Sequence, residues 1–123
     1  MFVIREEHLQ AQSDRMTDAF VERMVRHLRE EFSQYLRVQA VPENDLGGMV
    51  RQGMMDAERY GVIYQGDLER YIECMVMLGP AFPRDARLPW AGETLCRDDL
   101  DGQAKMDVLS DYVAFEVEAL PNE

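Results

Sequence analysis

Few residues of this chain have the type and spacing to do chemistry. Its two histidines, His8 and His27, stand nineteen residues apart, and His27-Leu-Arg-Glu30 lacks the second histidine of a helical zinc-protease motif. Cys74 and Cys96 are too far apart to suggest a zinc knuckle. Asp98-Asp-Leu-Asp-Gly102 resembles a calcium loop only until Gly102 is aligned with the loop glycine. That alignment puts Arg97 at the first ligand position and Val108 at the last, where carboxylates are needed. Gly47-Gly48 precedes no lysine, so it is no phosphate loop, and neither a nucleophile elbow nor a kinase signature is present. Glu6-Glu7 and Glu30-Glu31 are most simply solvated helix faces, and no carboxylate pair stands out as a general acid and base. The expectation is a protein without catalysis, cofactor or metal.

Two stretches point to recognition instead. Nine methionines occur in 123 residues, and Met49, Met54, Met55, Met75 and Met77 cluster in the middle of the chain. A flexible thioether side chain fills irregular core gaps, and it also suits an adaptable binding groove. The segment from Pro80 to Trp90 holds three prolines, which deny it regular structure. Its Phe82, Leu88 and Trp90 are too apolar for a merely solvated loop. They either cover an open end of the core or, with Arg84 and Arg87, form a rigid docking patch of the residue types that anchor interfaces. The candidate protein-binding residues are therefore Phe82, Arg84, Arg87, Leu88 and Trp90, followed by Met54 and Met55.

The elements that must position them follow from periodicity. Met16, Phe20, Met24, Leu28 and Phe32 recur every four residues, predicting a helix from near Arg5 toward Tyr35, with a break possible at Ser13-Asp14. Phe2, Val3 and Ile4 precede it and would pack back on the body or on a partner. Pro42 opens a second helix over about Glu43 to Tyr60, with Leu46, Val50, Met54, Ala57 and Tyr60 inward. Gly47, Gly48 and Gly53 inside it each cost about 1 kcal/mol against alanine, which predicts close backbone approach. The central helix begins at Gln65 or Asp67 and is stopped by Gly79-Pro80; from Cys74 to Leu78 it carries no charge, so its neighbours must bury it. Pro89 starts a short helix to about Cys96. Asp99 or Asp101 caps a last one over about Leu100 to Val117, with Leu100, Ala104, Val108, Leu109, Tyr112 and Val113 inward. The expected fold is all-α, one domain over 1–123, an irregular bundle of four to five helices with an ordered Pro-rich loop.

Composition narrows the partner. Net charge is −11, and from Asp98 to Glu123 eight acidic residues face Lys105 alone. Such a field repels nucleic acid and anionic membrane; its plainest reading is solubility, and the alternative is attraction of a basic protein surface. No eighteen-residue apolar run appears, and Met-Phe-Val-Ile-Arg-Glu-Glu7 lacks the layout of a signal peptide, so a cytoplasmic location with reduced cysteines is expected. A homo-oligomer is compatible with the chain.

Several strings are familiar together: Phe2-Val-Ile-Arg-Glu-Glu7, Phe20-Val-Glu-Arg-Met-Val-Arg-His-Leu-Arg29, Ala57-Glu-Arg-Tyr-Gly61, and Leu78-Gly-Pro-Ala-Phe82 with Leu88-Pro-Trp90. Over roughly residues 2 to 95 the chain resembles small helical accessory proteins of proteobacteria encoded beside spike, PAAR-repeat and effector genes of type VI secretion systems. The resemblance implies a protein that binds an effector, or the adaptor chaperone holding one, and assists its loading on the spike. The alternative is an immunity protein whose acidic last helix plugs the basic cleft of a toxin. A weaker third reading is a catalytic subunit.

Overall fold

Gly79 fixes one end of the helix on which the fold is built. The computed structural model of the chain describes residues 13–119, and every regular element among them is helical. In order these are α1 (Ser13–Glu31), α2 (Ser33–Val38), α3 (Leu46–Arg59), α4 (Gln65–Leu78), α5 (Pro89–Leu95) and α6 (Gly102–Ala119), with 3-10 turns at Glu43–Asp45 and Phe82–Arg84. At Gly79 the backbone reaches φ 112°, and its N–H still bonds the Met75 carbonyl at 2.8 Å. A side chain there would be strained, which is why glycine ends the helix.

α4 is central, as its charge-free second half requires. It packs against α2, α3, α6 and the Phe82–Arg84 turn, and it buries Leu68, Tyr71, Ile72, Cys74, Met75 and Val76. Each large apolar side chain so buried contributes about 1.5–3 kcal/mol, so α4 alone supplies much of the core. α1 packs on α3 through Phe20, Val21, Met24 and Leu28, and an ion pair from Arg23 to Glu69 and a hydrogen bond between His27 and Glu73 tie it to α4. His27 Nε2 lies 2.7 Å from Glu73, and its ring sits edge-on to Phe32, so this histidine is a structural bridge.

The long first helix bends. Phe32 (φ −126°, ψ 22°) divides α1 from α2, although its N–H still reaches the Leu28 carbonyl at 2.9 Å and its carbonyl accepts from Leu36 at 3.1 Å. The hydrogen-bond ladder therefore runs on through the bend, which periodicity could not reveal, and the described residues alone form six helices where four to five were expected. The expected start near Arg5, the packing of Phe2, Val3 and Ile4, and His8 lie outside the described residues, as does the side chain of Met16.

Two glycines mark where backbones touch, and neither is among the three inside α3. A Cβ on Gly53 would overlap the Met75 thioether, so the close approach at this glycine is to a flexible side chain and not to backbone, whereas Gly48 faces open space and Gly47 has only ordinary contact. Gly92 in α5 lies against the Pro83 carbonyl, and Gly102 at the start of α6 lies against the Gly61 carbonyl. Beside that second contact, the buried Lys105 ammonium donates to the Tyr60 carbonyl at 2.8 Å. A cation at the C-terminal end of α3 satisfies an orphan carbonyl and complements the helix dipole. Asp101 caps α6 by accepting from the Ala104 N–H at 2.8 Å.

Among the described residues, no helix is long and apolar enough to cross a membrane.

Candidate functional site

The Pro-rich segment is ordered because Phe82 nails it to the core. Pro83 opens the 3-10 turn, and the Phe82 ring is fully buried with its centroid 5.2 Å from that of Tyr71 on α4. The expectation that Phe82 meets a partner is therefore corrected: it has no surface to offer. Arg87 is exposed but committed, since its backbone N–H, Nε and Nη2 all donate to the Asp85 carboxylate at 2.9, 3.1 and 2.8 Å. Those hydrogen bonds hold the Asp85 carboxyl below its ordinary range. Leu88 is half-buried against the core. Arg84 is exposed and makes no ion pair among the described residues.

The remaining three candidates differ in exposure, and two of them, Met54 and Met55, stand on α3. Met54 is half-buried and packs on the core, while Met55 is 57% exposed. Trp90 does both jobs at once. One part packs on the core cluster, and its ring stacks on Tyr112 of α6 with centroids 4.9 Å apart and planes 16° from parallel.

Two surfaces emerge from this arrangement. The first is an aromatic ledge along α6. Tyr112 is 43% and Phe115 70% exposed, three residues apart and hence on one side of the helix, with Trp90 stacked on the former. The exposed Asp107 and Asp111 flank it, Asp107 being held at 2.9 Å by Arg70. Tyr112 was expected inward and Phe115 was not singled out. Leu109 and Val113 are buried as expected, but Lys105 and Met106 complete the buried face, and Leu100, Ala104 and Val108 are only half-buried. α6 carries apolar residues nearly all round, so its sequence gave two possible stripes and no periodic signal to choose between them.

The second surface is an open hollow of about 460 Å³ between α3 and the segment after α4. Met49, Gln52, Asp56 and Arg59 line it from α3, at a spacing that keeps them on one helical face, and Met75, Pro80, Ala81 and Arg84 close the other side. Asp56 is buried, accepts from Gln52 Nε2 at 3.1 Å, and has Arg59 3.8 Å away. Its charge adds to burial in pushing the Tyr71 hydroxyl above the ordinary phenol range. The methionine cluster thus divides, with Met49 and Met75 in the hollow and Met54 and Met55 outside its lining.

No nucleophile accompanies either surface. Burial, with the Glu73 charge adding to it, pushes the Cys74 thiol up to about 12, so it stays protonated and inert at neutral pH. Among the described residues, no group of three or more His, Cys, Asp or Glu side chains gathers as a metal site. Comparison of the chain with protein-family models, with curated proteins and with solved structures found no match.

Proposed function

We propose that this chain is a non-enzymatic protein-binding protein that meets a basic partner with the aromatic ledge of α6. The observation that carries this reading is Phe115, 70% exposed beside Tyr112 and Trp90 in a chain whose other phenylalanines with described side chains are at least half-buried. Leaving such a ring in water forgoes roughly 1–2 kcal/mol that a partner's apolar surface would recover. Aromatic residues are the usual anchors of interfaces, and the flanking carboxylates of Asp107 and Asp111 would steer a cationic surface toward them. The sequence resemblance supports a more specific form of this reading: an accessory protein of type VI secretion that holds an effector, or its adaptor chaperone, for loading on the spike. The acidic flank of the ledge equally favours an immunity protein that covers a toxin's basic cleft.

Co-expression with the products of the neighbouring genes, followed by pull-down and a growth assay in the same cells, tests this. Capture of one product with its toxicity undiminished supports the loading role, and capture with growth restored makes the chain an immunity protein. The Phe115→Ala/Tyr112→Ala double variant should lose that capture while keeping its helical signal, and rising salt should weaken the wild-type complex. Undiminished capture by the double variant would overturn the assignment of the ledge.

A further inference from the structure

We infer that the hollow between α3 and the Phe82–Arg84 turn binds an apolar residue bearing a free carboxylate, such as the last residue of a peptide chain. The first ground is charge. Two guanidinium groups, Arg59 and Arg84, face one carboxylate, Asp56, so the hollow is net cationic by one in a chain of net charge −11. The second is the loose pairing of those cations. Arg23, Arg51, Arg70, Arg87 and Arg97 each hold a carboxylate at 3.1 Å or less, whereas Arg59 comes only to 3.8 Å of Asp56 and Arg84 makes no ion pair among the described residues. A guanidinium presents parallel N–H donors that match a carboxylate, which makes both groups ready receivers.

The rest of the hollow fits the remainder of such a ligand. Met49 and Met75 supply an apolar, deformable wall for a side chain. The Asp56 carboxylate, held by Gln52, is an acceptor for the N–H group that lies one residue back from a chain terminus, or for the ammonium of a free amino acid. The volume of about 460 Å³ is at the small end of ligand sites, enough for one or two residues and too little for a folded element. The presence of Asp56 argues against a phosphate, whose second negative charge would face that carboxylate without a third cation to offset it. This site is separate from the aromatic ledge, so either can fail without the other.

The test uses the full chain with ¹³C-labelled methionine methyl groups, titrated with acetyl-Ala-Leu, with its C-terminal amide and with free leucine. The acid should shift the Met49 and Met75 signals saturably and leave that of Met106, which is fully buried in α6, in place. The amide should bind at least about tenfold more weakly, and Arg84→Gln should cost the acid a similar factor at unchanged melting temperature, as expected for a lost charge-assisted hydrogen bond. If Arg84→Gln also lowers the melting temperature, Arg59→Gln provides the same comparison from the other side of the hollow. Free leucine binding as tightly as the acetylated acid would support the same site with a free amino acid as its ligand. Equal binding of acid and amide, or no shift at Met49 and Met75 even at millimolar ligand, would overturn the inference.

Discussion

Two glycine-to-alanine substitutions should move stability in opposite directions, although both sit inside helices and remove the same entropic burden. At Gly48, in the first turn of α3, an added Cβ meets nothing within 4 Å, so only helix propensity changes. Gly48→Ala should stabilise the fold by about 0.5–1 kcal/mol. At Gly92, in α5, the added Cβ would stand 2.5 Å from the Pro83 carbonyl oxygen, a backbone atom that no rotamer change can move aside. Restoring an ordinary contact of 3.4 Å demands a displacement of 0.9 Å (3.4 less 2.5) between α5 and the 3-10 turn. Such overpacking costs about 1–3 kcal/mol, which exceeds the propensity gain and leaves Gly92→Ala about 1–2 kcal/mol less stable. At this chain length 1 kcal/mol corresponds to roughly 3–5 °C, so thermal melts followed by circular dichroism should separate the two variants by about 5–15 °C. A Gly92→Ala protein as stable as the wild type would refute the seating of α5 on the Pro83 carbonyl, and with it the placement of Trp90.

Two further outcomes follow from buried polar groups. Lys105→Met keeps the stem of the side chain but strips the Tyr60 carbonyl of its donor, so it should cost about 1–3 kcal/mol in chemical denaturation, whereas Arg97→Gln, at an exposed ion pair, should leave the denaturation midpoint in place. Burial pushes the Cys74 thiol from an ordinary 9.0 up to about 12, so the folded state holds its proton longer; its contribution to stability is complete below pH 9.0 and is lost at about 1.4 kcal/mol per pH unit above it, with the raised Tyr71 hydroxyl steepening the decline above pH 10.0. Cys74→Ala should flatten that alkaline decline, and in the native wild type a thiol reagent at pH 8 should modify the exposed Cys96 alone. Rapid modification of both cysteines would contradict the burial of α4.

The fold was largely legible because its signals are local. Gly79 at the end of α4, Pro89 at the start of α5 and the charge-free run from Cys74 to Leu78 each act within a turn or two of chain, and each stands where its chemistry requires. The bend at Phe32 was hidden because the i→i−4 bonding continues through it and the apolar repeat is undisturbed. The surfaces were less legible, for two different reasons. Phe82 and Trp90 are both aromatic residues of one Pro-rich stretch, yet the ring of one faces Tyr71 in the core and that of the other a tyrosine on the surface. Only the turn of backbone between them decides which. The hollow joins Met49 to Met75 and Asp56 to Arg84 across elements that meet where Gly53 leaves room for the Met75 thioether, and no spacing along the chain encodes that meeting.

The segment from Gly79 to Trp90 connects the two surfaces, and its rigidity has a consequence for both. Phe82 anchors its beginning in the core, the Asp85 carboxylate clamps its middle through three donors on Arg87, and Gly92 presses α5 on the Pro83 carbonyl. Arg84 lies between the first and second of these restraints, and Trp90 between the second and third. Both side chains are therefore presented by a backbone that has little freedom left to lose when a ligand arrives. Ordering an interface costs about 0.5–1.5 kcal/mol for each mobile side chain immobilised, so a preformed segment keeps more of the gain from contact. The prolines that deny this stretch a helix are, on this account, what lets a small chain hold a guanidinium toward one surface and an indole toward another.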